Sequence, residues 1–129
     1  MAERVRVFTG SPWEPVVGYC RAVRVGNIVE VAGTTAVRNG EVVAKGDAYG
    51  QAKAVLEMIE AALREAGAAL QDVVRTRMFV TDISQWEAIG KAHGEFFRDI
   101  CPVATMVEVK ALIDPDLLVE IEAQAIIRD

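Results

Sequence analysis

Apolar residues recur along this chain at two alternating periods, and the order in which those periods follow one another constrains the fold more tightly than any single motif. Strand-like alternation comes first. RVRVF at 4–8 alternates charge with valine, YCRAVRV at 19–25 repeats the pattern, and IVEVAGT at 28–34 follows a Gly-Asn turn, a hairpin signature. RNGE at 38–41 supplies a second turn and predicts a short ribbon. From Asp47 the period lengthens: Ala48, Ala52, Val55, Leu56, Ile59, Leu63 and Ala66 recur at steps of three and four. This spacing predicts an amphipathic helix of about five turns. Lys53/Glu57 and Glu60/Arg64 are expected to pair on its exposed side, and Gly67 to close its C-terminus.

VVRTRMFVTD at 73–82 returns to strand alternation, with Arg75, Arg77 and Phe79 on one side and Val74, Met78 and Val80 on the other. A second helix follows. Ser84 and Glu87 form a capping-box pattern, and Trp86, Ile89, His93, Phe96 and Phe97 share a stripe that ends before Pro102. Strands near 103–110 and 117–127 flank the turn Asp-Pro-Asp. The order is β-β-β-α-β-α-β-β in one domain spanning 1–129, an α+β arrangement with both helices on one face of a mixed sheet. The other face then has no cover from its own chain, while LLVEIEAQAII is too apolar to border water throughout. Burial of that face against further copies of the same chain is the expected solution.

Charge narrows the partners. A net charge of −5 and a pI near 4.9 repel phosphate backbones, and the pairs Arg4/Arg6, Arg21/Arg24 and Arg75/Arg77 form no basic run interleaved with aromatics. Nucleic acid is therefore not the expected partner. Cys20 and Cys101 lack the repeated spacing of a disulfide framework or a zinc site, so reduced thiols in the cytoplasm are expected. No apolar stretch suggests a signal peptide or a membrane span.

Few residues suggest chemistry. In the last strand Glu120, Glu122 and Gln124 alternate with Val119, Ile121, Ala123 and Ala125, so the apolar set belongs under the helices and the glutamates on the face that meets a neighbour. Each glutamate taken singly is as readily a salt-bridge partner of Arg75 or Arg77 as a catalytic group. His93, the single histidine, sits on the apolar stripe and reads as a packed residue. No cluster has metal-ligand spacing, and no metal or cofactor is expected. AGTTA at 32–36 ends a strand with Gly33, Thr34 and Thr35, where backbone N–H groups can approach a ligand.

Taken together, GYCRAVRVGNIVEVAGTTA, the helix from Asp47, DVVRTRMFVTDISQWEAIGKAHGEFF, PVATMVEV and LLVEIEAQAI resemble the reactive-intermediate deaminase family, also called YjgF or L-PSP, over about 17–128. The resemblance implies a chorismate-mutase-like fold assembled as a homotrimer, with sheets forming a central barrel and ligand clefts between subunits. It also implies hydrolysis of 2-imino acids to 2-keto acids and ammonia, without a cofactor. On that pattern Tyr19 is the cleft tyrosine, Gly33 the backbone donor and Glu120 the glutamate that holds water. Thr34, Thr105 and Met106 line the ligand, Glu122 looks structural, and Glu108 lies in a strand where the family also tends to carry an acidic residue.

The sequence departs from the family at Ala104, where the carboxylate-binding arginine is expected, and at Gly90, where an asparagine is usual. Charged hydrogen bonds of that kind contribute on the order of 1.5–3 kcal/mol. Arg21, two residues after Tyr19, is the candidate replacement, with a structural pair to Glu120 or Glu122 as the competing role. Three functions follow: an imine hydrolase with altered specificity, a non-catalytic small-molecule-binding trimer, and an endoribonuclease, the last disfavoured by the acidic charge.

Overall fold

The computed structural model describes residues 3–128. Strands β1 (Arg4–Val7), β2 (Ala22–Val25) and β3 (Ile28–Thr35) form an antiparallel meander, and β4 (Val37–Arg38) with β5 (Glu41–Val42) makes the ribbon expected at RNGE. Helix α1 (Ala48–Glu65), β6 (Val73–Val80), α2 (Trp86–Phe97), β7 (Val103–Glu108) and β8 (Val119–Ile126) complete the order. The main sheet runs β1-β2-β3-β8-β6-β7. It is mixed, because β6 and β7 are parallel and the other neighbours antiparallel.

Helix α1 begins where Asp47 accepts a hydrogen bond from the Gly50 N–H at 2.9 Å, satisfying one of the orphan donors of a helix start. It ends at Gly67, whose φ of +88° other residues resist. Leu56, Ile59 and Leu63 are fully buried, each contributing roughly 1.5–3 kcal/mol by leaving water. Their partners across the interface are Val29 and Val31 of β3, Val119, Ile121 and Ala123 of β8, and Met78 and Val80 of β6, all buried. Gln51 is buried too and ties the helix to the chain entering β8: its Nε2 donates to the Asp116 carbonyl at 2.9 Å and its Oε1 accepts from the Leu118 N–H at 2.8 Å.

Several local expectations give way to competing interactions. Glu60 and Arg64 pair at 3.0 Å as their spacing predicts, but Glu57 pairs with Arg38 of the ribbon rather than with Lys53. The start of α2 is organised by Asp82, which accepts from the Ser84 N–H and hydroxyl; the Ser84/Glu87 capping box does not form. Trp86 is largely exposed rather than on the packed stripe, whereas Ile89 and Phe97 are buried. Val74 stands outside the alternation because a bulge between Val73 and Arg75 turns Val73, not Val74, into the core.

The helices cover one face only. On the other face a polar row crosses β3, β8 and β6, with Gln124 donating to Glu30 at 2.7 Å and Arg77 pairing with Glu122 at 3.2 Å. Apolar Val25, Ile28 and Ile126 lie exposed toward one side of this row and Val103 and Val107 on edge strand β7. Among the described residues no helix is long and apolar enough to cross a membrane.

Candidate functional site

The site is built on a defect in β3. Val31 is in register with Ala123 and Thr34 with Ile121, so Ala32 and Gly33 together face the single residue Glu122. A bulge of this kind kinks the strand and frees backbone groups from the ladder. The freed groups are claimed by Arg21, which the extended chain at Tyr19 delivers to the start of β2. Its Nη1 donates to the Gly33 carbonyl at 2.7 Å and the Thr34 hydroxyl at 3.0 Å, with a longer contact of 3.4 Å to the Ala32 carbonyl. The Thr34 hydroxyl in turn donates a hydrogen bond to the Ala32 carbonyl at 2.8 Å. The Arg21 guanidinium also lies 5.7 Å from the centre of the Tyr19 ring, a cation-π distance.

Glu120 lies against this bulge. Its partner across the ladder is Thr35, and its carboxylate occupies the space that a Cβ on Gly33 would fill. What glycine offers there is the room left by its missing Cβ, not a special backbone conformation. Partial burial pushes the Glu120 carboxyl above the ordinary range, the Arg21 charge pulls it back down, and Glu122 adds a smaller upward push. No ion pair joins Arg21 to either glutamate among the described residues; Glu122 pairs with Arg77 instead, and the Arg21 Nε and Nη2 have no hydrogen-bond partner among them. The competing role for Arg21, a direct bridge to Glu120 or Glu122, is thus not formed.

Tyr19, Arg21, Gly33, Thr34 and Glu120 come together in one chain, and the residues of β7 do not join them. Ala104 is in register with Thr76 and Met106 with Met78, which point toward the helices, whereas Thr105 is in register with Arg77 on the open face. Ala104 and Met106 are therefore on the opposite side of the sheet from Glu120. His93 is also on the helix side, where its Nε2 and the Thr76 hydroxyl are 2.8 Å apart, and burial pushes its pKa down. Glu108 accepts from the Ile83 N–H at 3.0 Å and so fastens the chain entering α2. Among the described residues no three His, Cys, Asp or Glu side chains are grouped to hold a metal ion.

Sequence reasoning missed the segment between β1 and β2. There Glu14 begins a wide helical turn, Glu14–Gly18, closed by the Tyr19 N–H donating to the Glu14 carbonyl at 3.0 Å. The Glu14 carboxylate is buried and accepts from the Thr9 N–H, the Thr9 hydroxyl and the Gly10 N–H at 3.0–3.3 Å. Nothing in the alternation of apolar residues signals this; the available signal was a glutamate within a Gly-Ser-Pro-Trp-Glu-Pro stretch rich in turn formers. The segment walls a recess of about 610 Å³ beside Tyr19, and a smaller one of about 280 Å³ lies on the open face between Cys20, Ala32, Arg77 and Glu122.

An α+β sheet with helices on one face and the other bare is shared with known proteins. The family described as Endoribonuclease L-PSP matches residues 9–127. Rv2704 of Mycobacterium tuberculosis, a member of the YjgF/YER057c/UK114 family, superposes with a TM-score of 0.89 at 51% identity, covering 97% of this chain and 100% of that one. A RutC family protein of Pyrococcus abyssi is 39% identical over 97% of this chain and 98% of its own length. The 3-aminoacrylate deaminase RutC of Acinetobacter baylyi is 35% identical over the same shares. The chain belongs to the L-PSP family, known also as the YjgF or Rid family.

Proposed function

We propose that this protein hydrolyses small 2-imino acids to 2-keto acids and ammonia, working as a homotrimer with its clefts between subunits. The observation that carries the reading is Glu120, a partly buried carboxylate with a raised pKa, lying against a glycine and near an arginine whose Nε and Nη2 have no hydrogen-bond partner among the described residues. The name of the Acinetobacter relative, a deaminase of 3-aminoacrylate, supports loss of ammonia from a small unsaturated amino acid, there from carbon 3 rather than carbon 2.

In this mechanism Arg21 holds the substrate carboxylate through Nε and Nη2, while Nη1 stays anchored on the bulge. Tyr19 and Thr34 shape the floor, and the Gly33 N–H serves as a backbone donor. The ionised Glu120 takes a proton from water as the water oxygen bonds to the carbon of the protonated imine and the C=N π pair moves to nitrogen, giving a carbinolamine. Glu120 then returns that proton to nitrogen. As the C–N bond breaks and ammonia leaves, the carbinol oxygen forms the carbonyl and gives its proton to Glu120, which releases it to solvent. A carboxyl raised toward the working pH is the better base for such transfers.

Ala104, Thr105 and Met106 enter only through the assembly. Because Ala104 and Met106 stand on the opposite face from Glu120 within one chain, they line the cleft when β7 of a neighbouring copy borders it. Alanine at 104 supports a second reading, a trimer that binds keto acids without turning them over, since no cation is supplied from that strand. An endoribonuclease reading finds less support: the histidine is held by Thr76 on the helix side, and the net charge is −5.

Keto-acid release from 2-iminopropanoate, generated in place by an amino-acid oxidase, tests the proposal. Acceleration over buffer is expected; tight keto-acid binding without acceleration would establish the second reading instead.

A further inference from the structure

The recess beside Tyr19 is not used by the chemistry above, and its construction is specific. Phe8, Pro12, Pro15 and Tyr19 are among the residues that line it, and the recess, open to solvent, has a volume of about 610 Å³. The loop forming it is held in place from within. The buried Glu14 carboxylate accepts from three donors, the Thr9 N–H, the Thr9 hydroxyl and the Gly10 N–H, and the wide turn it begins is closed by the Tyr19 N–H. A wall fixed before binding costs the ligand little ordering entropy. Because Glu14 spends its charge inside the loop, the charged group left at the recess is Arg6, which makes no ion pair among the described residues. The recess therefore suits an apolar group on an anionic molecule.

Its position supplies the connection. Tyr19 forms one wall, and the same ring lies 5.7 Å from the Arg21 guanidinium, which in turn rests on the Gly33 carbonyl beside Glu120. We infer that the recess takes the side chain of the substrate. With the carboxylate on Arg21 and the reacting carbon toward Glu120, an aromatic or branched side chain passes over Tyr19 and packs against Phe8 and the two prolines. The cleft then favours 2-imino acids with bulky apolar side chains over the three-carbon acid. This rests on the proposed cleft, and it adds Phe8 as a specificity-determining residue.

Calorimetric titration of the intact assembly with phenylpyruvate and with pyruvate tests the inference. Phenylpyruvate is expected to bind at least about tenfold more tightly, as an aromatic ring gaining aromatic and prolyl contacts should. Phe8→Ala should shrink the ratio of the two affinities by about tenfold. Phe8 is 58% exposed, so the variant should keep the wild-type melting temperature. Equal affinities, no measurable binding of phenylpyruvate, or a ratio unchanged in Phe8→Ala would overturn it. The two proposals fail separately. Phe8-dependent binding without imine hydrolysis removes the catalytic reading and keeps the recess, whereas hydrolysis with no preference for the larger acid does the reverse.

Discussion

A methyl group on Gly33 would overlap the Glu120 carboxylate. The atoms that must yield are the end of a flexible side chain, so Gly33→Ala should cost stability little, under about 1 kcal/mol, while moving the proposed base off its position. A loss of about a hundredfold in kcat/KM, at a near-wild-type melting temperature, is the expected outcome. The charge on Glu120 makes a second prediction with a definite sign. Its folded-state pKa lies above the ordinary value, so its contribution to stability is present in full at low pH and is lost as pH rises through the folded pKa. Glu120→Gln should therefore melt higher than wild type at pH 7, with the advantage vanishing once the pH falls below the ordinary glutamate range. Melting temperatures of both proteins from pH 4 to 8 would show it, and a pH-independent gap would count against the burial argument.

The short turn Ile83–Gln85 that leads into helix α2 is capped by Asp82, and the Ser84/Glu87 pattern that the sequence suggests does not cap α2. Asp82→Ala should cost about 1 kcal/mol in urea unfolding, and Glu87→Gln almost nothing. Gln51 is the larger test of how elements are joined. Gln51→Ala removes the side-chain partner of the Asp116 carbonyl and the Leu118 N–H, both part-buried, at the entry to β8, at a cost of about 1–3 kcal/mol in the same measurement. At this scale much was legible in advance: the two helices and the strands of the main sheet follow from period alone, because a pleat and a helix repeat burial at different intervals. The Val73/Arg75 bulge was not, since one inserted residue reverses which valine faces inward without altering composition. The Ala32/Gly33 bulge was visible as a glycine at a strand end, but its capture by Arg21 depends on a contact between residues separated by a turn. The loop around Glu14 was illegible because its order comes from one buried carboxylate rather than from any repeat.

For the whole molecule, the sheet face left bare by the helices is the feature that a single chain does not account for. Exposed Val25, Ile28, Ile126, Val103 and Val107 share it with a polar row already paired within the chain. Association through this face is what the proposed trimer requires, and light scattering should return three times the 14.0 kDa chain mass. Val103→Asp with Val107→Asp should shift the protein toward smaller species, because charges opposite apolar surface cannot be buried unpaired. The central claim is that Glu120 performs the water attack, and it is tested most directly by the rate of keto-acid release from 2-iminopropanoate with wild type and Glu120→Gln side by side. The account predicts acceleration over buffer by the wild type, with an acid limb above the ordinary glutamate pKa, and a loss of about a hundredfold or more in the variant. Equal rates in the two proteins would contradict it.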